Sequence, residues 1–390
     1  MTQRRFGLDQ LGPLPTFMEN STEAVTPFEA PSGDMVWLVR GYELGRLVLA
    51  DKRFSRIEAV KDHSPKFMAV QPAPDSMVSM EGTEHQRLRR VVMGAFTRPR
   101  VDLMAPSIER LVVQHIDRMV AMGPPGDLIG GLALPLASGV LCSLLGIPSH
   151  EDARFRDLVE VLFDITSNTS KESLQRRVEL VGFMATLTGR KRESPGDDLL
   201  TSMVRLHDQG KLSLSELVTI GLTLLMAGYE TTAGQIGLSA HALLSDPAEY
   251  ERLRGNPELL PLAVDELLRL TPATPVTFAR VATEPVRLGT VIVAAGQAVV
   301  VSLMHGNRDG KVFTRPQSYA PDRRAVPHLT FGHGAHRCLG ATLAKLQLQV
   351  ALAQLLRRFP ALRLAAGPGR PVVWKEGLAT RGLSRLLVEW

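Results

Sequence analysis

At 390 residues, with 44% hydrophobic and 22% charged side chains, the chain has globular composition and the length for an extensive core, which excludes a disordered or fibrous protein. Its formal charge of +5 is spread without blocks of like charge, and the aromatics, only 5%, are not interleaved with basic residues as a base-stacking surface needs, so nucleic-acid binding is disfavoured. Two cysteines, Cys142 and Cys338, cannot make a disulfide framework or a multi-cysteine zinc site.

The start, Met1 to Gly7, lacks the apolar core of a secretory signal, and no stretch approaches about 18 consecutive apolar residues, so a soluble cytoplasmic protein without a membrane span is expected. Neither a repeat nor a long linker divides the sequence, which predicts one domain over 1–390. In chain order, Met35 to Arg40 alternates as a strand does, and Tyr42 to Leu49 follows a helical period. From Arg56 to Met80 periodicity fades around Pro65, Pro72 and Pro74, giving a loop long enough to cover a pocket, with Met68, Met77 and Met80 as an adaptable apolar surface. Thr83 to Leu270 is mainly helical in pattern. Strand-like runs return at Val276 to Val301, Leu362 to Leu364 and Arg381 to Val388, and a helix is expected from Ala341 to Leu356. The fold class is therefore mainly α with a minor β portion and no regular βαβ alternation.

Four local patterns carry chemistry. Phe331-Gly332-His333-Gly334-Ala335-His336-Arg337-Cys338-Leu339-Gly340 places one thiol in a glycine-rich loop that opens onto a helix, a way to present a thiolate to a metal from one side. Heme iron is the natural candidate, since His328, His333, His336 and Cys338 match no structural zinc spacing. Ser213-Leu214-Ser215-Glu216 has capping-box spacing and starts a helical pattern that runs to about Leu244. Within it, Ala227-Gly228-Tyr229-Glu230-Thr231-Thr232 offers a glycine against which a flat cofactor could lie, a threonine able to bond the Ala227 carbonyl, and an acid beside it.

The third pattern is Glu266 and Arg269, three apart on a helix, which is an ordinary surface pair unless buried. Burial would demand further partners, and Arg323 is available as one. The fourth is a scatter of donors able to neutralise cofactor carboxylates: His85 and Arg89 at i and i+4, Arg280 in an apolar extended segment, and His336.

Taken together and in this order, these elements resemble a bacterial cytochrome P450, a soluble heme-thiolate monooxygenase, over nearly the whole chain. The family's Phe-Gly-x-Gly-x-His-x-Cys-x-Gly loop is met at every fixed position from Phe331 to Gly340. Its Glu-x-x-Arg pair falls on Glu266 and Arg269, the meander arginine on Arg323, and its Ala-Gly-x-Asp/Glu-Thr motif on Ala227, Gly228, Glu230 and Thr231. Two departures are Gly306-Asn307-Arg308-Asp309-Gly310 for the usual Ala-Asn-Arg-Asp-Pro run, and Tyr319 for phenylalanine.

The resemblance implies heme b between the long central helix and the cysteine-loop helix. Cys338 would be its axial ligand, His85, Arg89, Arg280 and His336 would hold its propionates, and Phe331, Gly332, Gly340 and Ala227 would also contact it. Thr231 and Glu230 would serve oxygen activation. It also implies O2 as co-substrate and electrons from NAD(P)H through a ferredoxin reductase and an acidic ferredoxin docking near Arg90, Arg98, Arg100 and Arg337. A pocket lined by Met77, Met226, Val276, Thr277, Leu378 and Ala379 would take a medium or large, mostly apolar natural product for hydroxylation or epoxidation in secondary-metabolite biosynthesis such as that of antibiotics. Oxidative coupling or rearrangement of an aromatic, peptide or polyketide substrate is the alternative within the family, and a non-catalytic heme-binding sensor or recruiting protein is the alternative outside it.

Overall fold

Residues 18, 23–68, 71–160, 171–323, 326–365, 372–375 and 380–390 are described by the computed structural model. Its axis is the helix Leu214–Leu244. The capping box forms as its spacing predicts: the Ser213 hydroxyl accepts from the Glu216 N–H at 3.1 Å while the Glu216 carboxylate accepts from the Ser213 N–H at 2.8 Å. Its C-terminal half, from Thr232 to Leu244, is buried almost all round, whereas its first half leaves one face, with Thr223, Ala227 and Thr231, only partly covered.

Around it pack Leu134–Leu145, Leu260–Leu270 and Ala341–Arg358, with Ala105–Met122 laid against the first and last of these, in one apolar core. The last of these is the helix expected after the cysteine loop, extended by two residues and ending in Arg357 and Arg358, which favour a helix C-terminus. No helix among the described residues is long and apolar enough to cross a membrane.

The largest sheet of the minor β portion among the described residues has five strands, in which Val25–Glu29, Met35–Val39, Ala298–Val301, Arg280–Ala282 and Phe54–Ser55 lie side by side in that order. Met35–Val39 runs parallel to Ala298–Val301 with Val36 opposite Ala298, and Arg280 faces Val299 across the next, antiparallel pair. That register brings Phe54 opposite Ala282, so the start of the 56–80 segment leaves the sheet beside Arg280. The segment itself forms the short helix Arg56–Ala59, and its later part docks on the central helix through Ser76 Oγ with Thr223 Oγ1 at 3.0 Å and Asp75 with Thr219 at 3.4 Å. Near the C-terminus, Val373–Trp374 pairs with Leu383–Arg385 in a hairpin.

Candidate functional site

The cysteine loop is closed by its own backbone. Gly332 N–H donates to Leu329 O at 2.7 Å and Cys338 N–H to Phe331 O at 2.8 Å, which turns the chain back so that Gly340 caps the following helix. Gly332 and Gly334 have φ of +68° and +73°, values that L side chains rarely adopt. At Gly334 space decides as well, because a Cβ would lie 2.5 Å from the Leu49 carbonyl oxygen. Behind the loop, Asn307 accepts from Leu329 N–H at 2.6 Å and donates to Thr330 Oγ1 at 2.8 Å and to Arg269 O at 3.1 Å. The asparagine of the variant Gly306 to Gly310 run is thus a tie between the loop and the buried arginine.

Solvent reaches the Cys338 side chain, yet protein surrounds the sulfur closely, and burial pushes its thiol above the ordinary value. Opposing that are a hydrogen bond from the Gly340 backbone and the charges of Arg337 and Arg89. Those opposing groups all favour thiolate, the form that binds a metal.

Beside the loop, the helix Gly82–Met93 presents His85 and Arg89 as its i,i+4 spacing predicts. His85 stacks on His336 with ring centroids 4.3 Å apart, and Arg89 Nη2 donates to Arg337 O at 2.6 Å. Burial first, then Arg280, His85, Arg56 and Arg89, push His336 down to about 3. Arg280 is buried and lowered by burial, with Glu81 opposing. Arg56, which sequence reasoning missed, joins them: burial and Arg280 bring it down to about 9, it donates to Val78 O at 2.9 Å and to Ala279 O, and its Nη2 is buried without a hydrogen-bond partner. A concentration of buried cations and imidazoles, offset mainly by Glu81, fits a group carrying more than one carboxylate. The donor set therefore suits heme, with a lone thiol for the iron and cations for the propionates.

On the central helix, Thr231 Oγ1 donates to Ala227 O at 2.5 Å, as expected, and the helix stays continuous through it. Ala227 is exposed and Thr231 half-buried on one face, whereas Glu230 is turned inward and forms an ion pair with Lys375 Nζ at 2.6 Å. Gly228 corrects the sequence reading: a Cβ there would lie 2.8 Å from Leu141 Cδ2, so this glycine admits the neighbouring helix rather than a cofactor.

Glu266 and Arg269 are buried and pair through two contacts of 2.7 Å each. Arg269 also donates to the carbonyls of Asn307, Pro316 and Ser318, and Arg323 Nη2 reaches Glu266 at 3.3 Å, completing the expected triad. The pocket residues divide. Met226 is half-buried on the central helix, Met77 lies in the main core, and Val276 packs in a smaller core with Phe67 and Met304. Thr277 has its hydroxyl engaged by the Val301 N–H at 3.1 Å, and Leu378 and Ala379 lie outside the described residues. Arg90, Arg98, Arg100 and Arg337 are exposed, with Arg98 paired to Asp102.

Comparison with known proteins gives the class. The cytochrome P450 family model matches residues 139–368. The chain is 42% identical to nocardicin C N-oxygenase of Nocardia uniformis subsp. tsuyamanensis, covering 92% of this chain and 91% of the relative. It is 38% identical to the mycinamicin IV hydroxylase/epoxidase of Micromonospora griseorubida, covering 95% and 93%. The crystal structure of cytochrome P450mel 107F1 with biaryl coupling reactivity superposes with a TM-score of 0.88 at 35% identity, covering 95% and 94%. The chain belongs to the cytochrome P450 family. It is an oxidoreductase of the monooxygenase type whose cofactor is heme b with a thiolate ligand to the iron, supplied with electrons from NAD(P)H through redox partners.

Proposed function

We propose that Cys338 is the thiolate ligand, that His85, Arg89, Arg280 and His336 hold the heme propionates, and that Phe331, Gly332, Gly340 and Ala227 wall the cofactor between the central helix and the cysteine-loop helix. The supporting observation is the direct tie between the thiol loop and the cationic cluster, through the His85–His336 stack and the Arg89–Arg337 bond. Bound heme supplies the activation of O2, and thiolate ligation pushes electron density towards O–O cleavage. The hydrogen bond from the Gly340 backbone at the helix start, with the charges of Arg337 and Arg89, favours the thiolate against the burial that opposes it. Thr231 offers a hydroxyl on the exposed face of the central helix, and Glu230 is the acid through which protons reach it.

The substrate is a medium or large, mostly apolar natural product of secondary metabolism, hydroxylated or epoxidised at carbon, a reading supported by the mycinamicin hydroxylase/epoxidase. Oxidative coupling is the second reading, favoured by the likeness to the biaryl-coupling enzyme. The electron donor is an acidic ferredoxin, reduced by its reductase, that meets Arg90, Arg98, Arg100 and Arg337 in the cytoplasm. Holoenzyme supplied with ferredoxin, reductase, NAD(P)H and isotopically labelled O2 is expected to convert a member of a natural-product panel to a product carrying one labelled oxygen atom. Loss of two hydrogens without label would establish coupling instead. Heme without electron-driven O2 consumption would establish a sensor. Cys338→His is expected to bind heme with a nitrogen-ligated spectrum and no monooxygenation; retained monooxygenation overturns the thiolate assignment.

A further inference from the structure

Among the described residues, one cation beside the cysteine loop is left short of a partner. Arg56, 2% exposed, follows the strand Phe54–Ser55 and opens the short helix Arg56–Ala59. Its Nε donates to Val78 O at 2.9 Å and its Nη1 to Ala279 O, so one guanidinium joins the end of the 56–80 segment to the residue before Arg280. The Phe278 ring centroid lies 5.0 Å from the guanidinium carbon. Nη2 is buried with no hydrogen-bond partner. Glu81, the acid whose charge acts on both Arg56 and Arg280, does not fill that place. Its Oε2 accepts from Ser55 Oγ at 2.8 Å and its Oε1 from the Arg56 backbone N–H at 2.6 Å. A guanidinium keeps its charge at neutral pH, and burying one without a full set of partners is costly, which points to a partner from outside the chain.

The surroundings of Arg56 indicate which partner. Among the influences that lower His336, after burial, Arg280 and His85, Arg56 stands ahead of Arg89, so its charge falls where the propionates are proposed to lie. Its other end reaches the substrate side. Val78 belongs to a turn in which the Ser79 and Met80 N–H groups donate to Ser76 O at 2.8 and 3.1 Å. Ser76 Oγ in turn meets Thr223 Oγ1 at 3.0 Å, on the partly covered face of the central helix that carries Ala227 and Thr231.

We propose that Arg56 is a brace completed by the cofactor: a heme carboxylate supplies the counter-charge, and the guanidinium so held fixes the turn from Ser76 to Met80 against the chain just before Arg280. This rests on the placement of the propionates proposed above. The wall on the substrate side is then firm only when the cofactor in place carries its carboxylates.

The test loads the full-length protein with hemin or with hemin dimethyl ester, in which both carboxylates are masked, and follows release of each to excess apomyoglobin in wild type, Arg56→Gln and Arg280→Gln. Arg56→Gln is expected to release hemin about tenfold faster or more, the scale of a lost charge-assisted hydrogen bond, and the ester at the wild-type rate. Equal acceleration of both makes Arg56 a structural strut, and acceleration of neither leaves it no role at the carboxylates; either result overturns the proposal. If Arg280→Gln discriminates between the two porphyrins and Arg56→Gln does not, the propionate placement stands and the brace alone fails. If neither variant discriminates, the placement itself fails. Hydrogen exchange reads the far end. The Ser79 and Met80 amides are expected to exchange more slowly in hemin-loaded than in ester-loaded wild type, and equally in the two forms of Arg56→Gln; equal exchange in wild type overturns the coupling. Should Arg56→Gln not fold, Arg56→Lys keeps the charge but not the fork that spans two carbonyls and a carboxylate. It is expected to lose the exchange difference, and persistence of that difference would overturn the brace.

Discussion

A single carboxylate, Glu266, sits between Arg269 and Arg323 and also accepts the Ala320 N–H at 3.0 Å. Replacing it by glutamine leaves Arg269 buried without its counter-charge, so Glu266→Gln is expected to cost about 3–5 kcal/mol in denaturant unfolding, as removal of one partner of a buried pair generally does. Thr231 has a different signature, because among the described residues its hydroxyl bonds the Ala227 carbonyl of its own helix. Thr231→Ala is expected to keep heme and substrate binding but to divert electrons to hydrogen peroxide, read as the ratio of product to NAD(P)H consumed; unchanged coupling would remove Thr231 from oxygen activation. Both sites were legible in sequence for local reasons. Glu266 and Arg269 share a helix turn, and Thr231 stands four residues after the carbonyl it bonds. Lys375 was not, since a lone lysine after Trp374 has no spacing relation to an acid 145 residues away.

Among the elements, the closest backbone-to-backbone approach at a described glycine joins the cysteine loop to the end of the helix Tyr42–Ala50. Gly334→Ala would put a methyl group 2.5 Å from the Leu49 carbonyl oxygen at a φ of +73°, a combination of collision and backbone strain of at least about 1–3 kcal/mol. The expected outcome is a lower heme-to-protein absorbance ratio with helical circular dichroism retained, since the large helices do not depend on this contact. The glycine spacing announced a special backbone here, and the structure bears it out. The same reasoning misled at Gly228, because a glycine inside a helix signals only that something comes close, and what comes close is Leu141. The central helix was readable because its cap and its apolar run are contiguous. The five-stranded sheet was only partly so: its strands are drawn from Val25 to Val301, and a parallel pairing such as Val36 with Ala298 leaves no mark on either segment alone.

For the molecule as a whole, stability against acid has an identifiable contributor away from the thiol. Burial, then Arg40 and Arg308, bring His305 down to about 4 from an ordinary 6.5, while its Nδ1 is bonded to Ser302 Oγ at 2.8 Å. The folded-state value lies below the unfolded one, so the unfolded chain takes the proton first. This contribution is fully present above pH 6.5 and is lost as pH falls towards 4. By linkage that amounts to roughly 3 kcal/mol. His305→Gln is therefore expected to flatten the fall in unfolding free energy across that window; an unchanged slope would mean that another group governs it.

The hydrogen bonds that shape the cysteine loop run from Leu329, Gly332 and Cys338 to other groups of the polypeptide. Through Asn307, which accepts from Leu329 N–H and donates to Arg269 O, the curvature of that loop is joined to the buried Glu266–Arg269 pair. A disturbance of the pair therefore has a path of two hydrogen bonds to the segment that presents the thiol.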